Sequence, residues 1–245
     1  MSFIHQHLEE VVSTNRTLSK LSENKELPDF YTISADYQSG GKGYHGANWH
    51  STKGCNILMS IVVYPSFLKA ADAFLISSWV SVSLLEYLQY HSIRDISIKW
   101  PNDIYVGKQK IAGILINNTI SDSAIRKSII GIGLNINQIE FPDYLPNPVS
   151  LVQQIKTECV IKKEIKRLVV YLQKQYNLLM DSHQKLRDRY HSKIFQLNKW
   201  AAYSIENELV RAKIIGVDDL GQLGLQFENG KSSYFEMKRI KFILE

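Results

Sequence analysis

Glycines around a lysine make the first segment with chemistry in it: Gln38-Ser39-Gly40-Gly41-Lys42-Gly43-Tyr44-His45-Gly46-Ala47-Asn48-Trp49. Glycines let backbone N–H groups approach phosphate oxygens, and the ammonium supplies charge, so the stretch suits an anionic ligand. It satisfies G-x-G-x-x-G, yet a dinucleotide fingerprint needs a helix directly after the loop and an acidic residue about 20 positions on for the ribose. Here Asn56 to Val63 reads as another strand, and no Asp or Glu falls between Tyr37 and Asp72, which sets the nicotinamide and flavin readings aside. Two further segments share a bias that packing does not require: Lys99-Trp100-Pro101-Asn102-Asp103 with Lys110 seven residues past Asp103, and Gly131-Ile132-Gly133-Leu134-Asn135. Asn102 and Asn135 can both donate and accept, as an adenine edge or a ureido ring demands. Glycines at 131 and 133 leave room for a ligand against a strand. His45 and His50 have no third ligand at metal spacing, so no metal site is expected.

The elements that must position these groups follow from periodicity. Ser13-Thr14-Asn15 offers N-cap residues for a short helix running to Leu21, and Phe30 to Tyr37 reads as a strand before the glycine loop. Leu68 to His91, apolar and free of Gly and Pro, is the central buried helix. Ile96 to Trp100, Ile104 to Val106, Lys110 to Ile116 and Ser128 to Ile136 follow as strands. After a loop marked by Pro142, Pro146 and Pro148, Ile161 to His191 is a second helical region, so the expected class is α+β, a mixed sheet covered by helices. From about Lys199 short strands take over: Leu209 to Ile215, Gly221 to Phe227, an Asn229-Gly230 hairpin turn, then Ser233 to Phe242. We therefore divide the chain into residues 1–198 and a small C-terminal barrel, 199–245, that packs against the first part.

Composition bounds the rest. With 44% hydrophobic and 22% charged residues among 245, the chain is globular rather than disordered. Cys55 and Cys159 lack metal or redox spacing, which fits a reduced, cytoplasmic setting. Met1 to Glu10 has neither a basic n-region nor an apolar h-region, and no apolar run approaches the roughly 18 residues of a membrane span. Neither export nor a membrane is expected. The net charge of +5 concentrates in Lys156 to Trp200, where eleven Lys or Arg face four acids. Their interleaving with apolar residues reads as a solvated helix face, with nucleic acid or an acidic partner as the alternative.

The chain resembles the biotin protein ligases. Ser13-Thr14-Asn15 is similar to that family's S-T-N element, Gln38 to Trp49 to its Q-x-x-G-R-G-x-x-G-x-x-W loop, and Lys99 to Asp103 to its K-W-P-N-D. Lys110 to Leu115 and Gly131 to Asn135 resemble its K-[IL]-A-G-I-L and G-x-G-[IL]-N, all in family order across residues 13 to 135. The resemblance implies a catalytic domain of the class II aminoacyl-tRNA synthetase-like, biotin/lipoate ligase type with a C-terminal SH3-like barrel. It implies adenylation of biotin by ATP with Mg²⁺, then transfer of biotin to a lysine of a biotin carboxyl carrier protein. By the same resemblance, Ser13, Thr14, Asn15 and Gln38 fix the biotin head group, and Gly41, Lys42, Gly43 and Tyr44 cover it and steer phosphates. Lys110 is the central catalytic lysine with Lys42 beside it, Gly113 and Leu115 line the biotin pocket, and Trp49, Asn102, Gly133 and Asn135 hold the nucleotide. No DNA binding is expected, since about 12 residues precede Ser13 where many bacterial relatives carry a helix-turn-helix. Homodimerisation stays open. A lipoate or octanoate ligase of the same superfamily and a non-catalytic biotin- or carrier-binding protein are the competing readings. The loop departs from the family pattern at Lys42, usually Arg, at Tyr44, often Arg or Gln, and near Ala47 and Asn48, commonly Arg or Asn.

Overall fold

A computed structural model describes residues 3–23, 25–43 and 46–243. Seven strands form the main sheet: β1 (His5–Val11), β2 (Tyr31–Gln38), β3 (Ile57–Val63), β4 (Ile96–Lys99), β5 (Asp103–Val106), β6 (Gln109–Ser121) and β7 (Ala124–Leu134), in the order β1-β2-β3-β7-β6-β5-β4. Only β1 and β2 run parallel. A parallel pair needs a crossover, and helix α1 (Thr14–Leu21) supplies it.

Side-chain alternation divides the sheet's two faces. Every residue of β3 is buried, because both faces are covered. Ile57, Met59, Ile61 and Val63 join the main core with Trp79, whereas Val62 points the other way to Leu18 of α1, Ile33 and Ile129. The first face lies under α2 (Phe74–Tyr90) and α4 (Ile161–Asp181), with α5 (His183–His191) beside them. On the second face α1 covers one end and leaves the rest open.

Helix α2 with the short 3₁₀ turn before it is apolar enough by length and composition to cross a membrane, but most of it is buried inside the protein. Its Trp79 donates to the Leu172 carbonyl of α4 at 3.0 Å. Many basic residues of the second helical region are tied down rather than merely solvated. Arg189 and Lys174 pair with Glu86 of α2, Arg187 with Asp72 and Asp219, and Arg167 with Glu164. A short helix, α3 (Leu151–Ile155), follows the proline loop.

The C-terminal part is a five-stranded antiparallel sheet, β8 (Trp200–Ile205), β9 (Glu208–Val217), β10 (Leu223–Phe227), β11 (Ser232–Phe235) and β12 (Ile240–Phe242), in the order β11-β10-β9-β8-β12. The expected hairpin joins β10 to β11, with Gly230 at φ 81°. The expected continuous strand from Ser233 to Phe242 is broken by a 3₁₀ turn at Met237–Arg239, after which β12 crosses to pair with β8. Tyr203, Ile214, Leu223 and Leu225 belong to the same apolar cluster as Trp79 and Trp100, so one core runs through both sheets. Trp100 pins the junction by donating to the Gly221 carbonyl at 2.9 Å.

Candidate active site

The open end of the second sheet face is a cavity of about 230 Å³. The N-terminus of α1 forms one wall. Ser13 occupies the N-cap position with extended backbone, but its side chain makes no capping bond and lines the cavity. The next orphan amide, that of Thr14, is met by Gln38 Oε1 at 2.7 Å. Asn15 donates through Nδ2 to the Leu115 carbonyl at 3.1 Å and to Asn117 Oδ1 at 3.2 Å, which leaves its Oδ1 as acceptor for Ser60 Oγ. A carboxamide oxygen only accepts, so the Ser60 proton goes to Asn15 and the Thr14 hydroxyl serves Ser60 or Gln38. Thr14 and Asn15 are thus committed to the protein. The Ser13 hydroxyl and Gln38 Nε2 make no hydrogen bond among the described residues and stay available to a ligand.

The floor is the β6–β7 pair, where Gly113 stands opposite Gly133 and Leu115 opposite Gly131. The room left by these glycines is not empty. A Cβ on Gly133 would stand 2.4 Å from the Trp49 ring, and one on Gly131 would stand 2.4 Å from Asn15 Oδ1. The indole nitrogen of Trp49 is buried without a hydrogen-bond partner among the described residues. The room expected at 131 and 133 is shared: both glycines line the cavity, and Asn15 and the Trp49 ring take the space directly over them.

The glycine loop folds back over this floor as a narrow hairpin. Gly43 donates to the Ala47 carbonyl at 2.6 Å, Trp49 donates to the Gly41 carbonyl at 3.0 Å, and Lys42 pairs with Asn48. Lys42 Nζ also reaches Asn48 Oδ1 at 3.2 Å. Gly41 does not line the cavity but is wedged between Gln38 and the Trp49 carbonyl, and Tyr44 lies outside the described residues, as does His45. His50 sits beside Tyr144, whose hydroxyl is 3.4 Å from its Nδ1.

The far wall is the β4–β5 turn. Asn102 braces it by donating through Nδ2 to the Ile114 carbonyl at 2.9 Å. Lys110 Nζ forms an ion pair with Asp103 at 2.7 Å and lies 5.6 Å from the Trp49 ring centre. The Lys110 backbone is clamped between Asn147 and Val149, which makes the proline loop a support for this lysine. Ser13, Thr14, Asn15, Gln38, Lys42, Gly43, Trp49, Asn102, Lys110, Gly113, Leu115 and Gly133 therefore line one cavity. Asn135 does not. It is buried, and its Nδ2 donates to the Val149 carbonyl at 3.0 Å, so it ties the Lys110 support to β7 instead of facing a ligand. Several lining residues were not singled out as site residues from the sequence, Met59, Asp103 and Met237 among them. Asp103 was legible as an acid seven residues before a lysine in a hairpin, but Met237, which arrives from the C-terminal sheet, carries no local signal.

Residues 8–135, the stretch that builds all of this wall and floor except Met237, match the model of the biotin/lipoate A/B protein ligase family. The chain belongs to that family. Among its relatives is the bifunctional ligase/repressor BirA of Bacillus spizizenii, 27% identical over 233 residues, which span 92% of this chain and 71% of the relative. The biotin–protein ligase of Homo sapiens is 26% identical over 216 residues, 81% of this chain and 28% of that protein. A solved structure of the biotin protein ligase from Aquifex aeolicus in complex with biotin and ATP superposes with a TM-score of 0.79 at 22% identity, over 99% of each chain. At that identity the likeness speaks for the fold, including the small C-terminal β part of this ligase-family chain.

Proposed function

We propose that this chain is a biotin protein ligase that forms biotinyl-5′-AMP and then biotinylates a lysine of a biotin carboxyl carrier domain. The observation that carries the reading is Lys110: an ammonium fixed by Asp103 and a clamped backbone, between the Ser13–Gln38 wall and the Trp49–glycine-loop wall. In the first step a biotin carboxylate oxygen bonds to the α-phosphorus of ATP, the bond to the pyrophosphate oxygen breaks, and pyrophosphate leaves. Negative charge grows at phosphorus, and preorganised ammonium groups at Lys110 and Lys42 stabilise it. In the second step the carrier amine attacks the acyl carbon, the bond to AMP breaks, and the amine proton passes to solvent. The protein's part there is to hold the two partners in line.

Within this reading Ser13 and Gln38 meet the ureido ring, Thr14 and Asn15 hold that wall rigid, and Gly113 and Leu115 line the valeryl path. Trp49, Asn102 and Gly133 shape the nucleotide end, Asn135 supports it from behind, and Gly41, Gly43 and Tyr44 close the loop over the ligand. Mg²⁺ would enter with the ATP substrate: Asp103, the carboxylate of the described lining, is engaged by Lys110, so triphosphate oxygens and water would supply the oxygen ligands this ion prefers. Two free cysteines suit a cytoplasmic setting for the reaction.

The test is pyrophosphate release on mixing protein, biotin and ATP, followed by transfer of labelled biotin to a carrier domain. Lys110→Ala should lower kcat by about 10²–10³-fold, the scale of losing one preorganised charge donor. Transfer at the wild-type rate by that variant would overturn the assignment. Pyrophosphate release with lipoate but not biotin would move the chain to the other branch of its family.

A further inference from the structure

Lys99 is the last residue of β4 and stands directly opposite Asp103 across the β4–β5 hairpin, beside the cavity that Asp103 lines and not itself part of the lining. Its ammonium nevertheless makes no ion pair or hydrogen bond among the described residues. It rests against two aromatic rings, 4.9 Å from the centre of Phe242 and 5.4 Å from that of Tyr105. Burial pushes its pKa below the ordinary lysine value, the charge of Asp103 opposes that, and Lys110 adds to it. Asp103, meanwhile, is spent on Lys110. Two ammonium groups thus flank one carboxylate, and the trio carries a net charge of +1.

Resting on the proposed role of Lys110 in meeting the substrate's anionic group, we infer that Lys99 is a positioning residue that takes over Asp103 when that anion claims Lys110. Without a second cation, drawing Lys110 away would strand a carboxylate whose side chain is 17% exposed, and orphaned charges at such depth are strongly unfavourable. With Lys99 in place, one incoming carboxylate brings the group to neutrality as two complete ion pairs, Lys99 with Asp103 and Lys110 with the substrate. Reach is not a barrier, since cross-strand neighbours stand about 4.5–5.5 Å apart at Cβ and the lysine stem is flexible. The rings act as a parking place that holds the ammonium by cation–π attraction until it is needed.

A stability cycle tests the takeover without any substrate. Lys99→Met keeps an unbranched stem against the rings and should barely change the Tm; Lys110→Ala alone should cost little, because Lys99 moves onto Asp103. The double variant leaves Asp103 with neither cation and should lose clearly more than the sum of the two single falls. Additive falls would overturn the inference. The kinetic arm asks for a KM-against-kcat split: Lys99→Met should raise the KM for biotin about tenfold with the Tm unchanged, a change of ~1.4 kcal/mol. Lys99→Arg should restore most of it, and Asp103→Asn should abolish the effect of Lys99→Met. Wild-type kinetics in Lys99→Met would also sink the idea. If the wild type released no pyrophosphate at all, the biotin ligase reading would fall, and the stability cycle would still decide the takeover.

Discussion

At Gly133 a single added methyl group would lie 2.4 Å from the Trp49 ring, so Gly133→Ala must push the indole off the floor of the cavity. Overpacking of this kind costs about 1–3 kcal/mol if nothing moves. We expect the ring to move and the KM for ATP to rise roughly tenfold, the kinetic equivalent of ~1.4 kcal/mol. Adding Trp49→Ala to Gly133→Ala should cause no loss beyond that of Trp49→Ala alone, because the two act through one contact. An unchanged KM for ATP in Gly133→Ala would remove Trp49 from the nucleotide end. A second residue-scale prediction concerns Lys42, whose ammonium has, among the described residues, a single hydrogen bond, to Asn48. Lysine lacks the planar fork that grips phosphate in bidentate fashion. Lys42→Arg combined with Tyr44→Arg should slow spontaneous release of biotinyl-adenylate, measured by chasing labelled intermediate; equal rates would dismiss the idea. At this scale the sequence was legible where motifs are contiguous. Gln38, Lys110 and the glycines stand out by type and spacing, whereas Asn135 looks like a ligand group until Val149 is seen accepting its proton.

Among the elements, the α2–α4 interface holds the most consequential buried charge. Glu164 accepts hydrogen bonds from Tyr87 at 2.8 Å, His91 at 2.9 Å and Arg167. Burial alone would raise its pKa, but the bonds from Arg167, Tyr87 and His91 outweigh that and hold it below the usual carboxylate value of 4.5. A depressed folded pKa means stability that is present above the unfolded value and lost as pH falls towards the folded one. Glu164→Gln should therefore lower the Tm at pH 7, by roughly 2–4 °C for each kcal/mol lost, and the gap from wild type should shrink below about pH 4.3. A pH-independent gap in a series of melting curves would assign the loss to packing. Strands and long helices emerged from the sequence where they are continuous apolar runs of strand or helix length, as in β3 and α2. Strand β1 did not, since HQHLEEV is an edge strand whose polar side chains face solvent and whose pairing rests on backbone bonds. Helix α3 was readable in principle: Ser150-x-x-Gln153 is a capping-box pattern, and Gln153 Oε1 does accept the Ser150 amide proton at 2.9 Å.

Over the whole molecule, the two sheets share one apolar cluster, so the division at residue 198 inferred from the pattern of strands is a boundary in chain direction more than in packing. Calorimetry of residues 1–245 should show a single transition. A chain cut at residue 198 would expose the faces that Tyr203, Ile214, Leu223 and Leu225 cover, and should fail to give a cooperative melt. Two resolved transitions in the full chain, or a cooperative melt from the fragment, would establish independent domains instead. Trp100→Phe is the gentler probe: it removes the bond to the Gly221 carbonyl, worth about 1 kcal/mol, and keeps a smaller aromatic ring at the junction, with some loss of packing besides.

The position of Met237 has a temporal side. The cavity is lined from Ser13 at one extreme of the chain to Met237 at the other, so a ribosome moving at about 5–20 residues per second must run for roughly ten to forty-five seconds between delivering its first wall and its last. Throughout that interval the glycine loop, Lys110 and the indole are already made but lack their closing neighbour. Every nascent chain thus passes through a stage in which Lys110 lies in a half-built, open trough, and completion of the cavity waits until Met237 has been added.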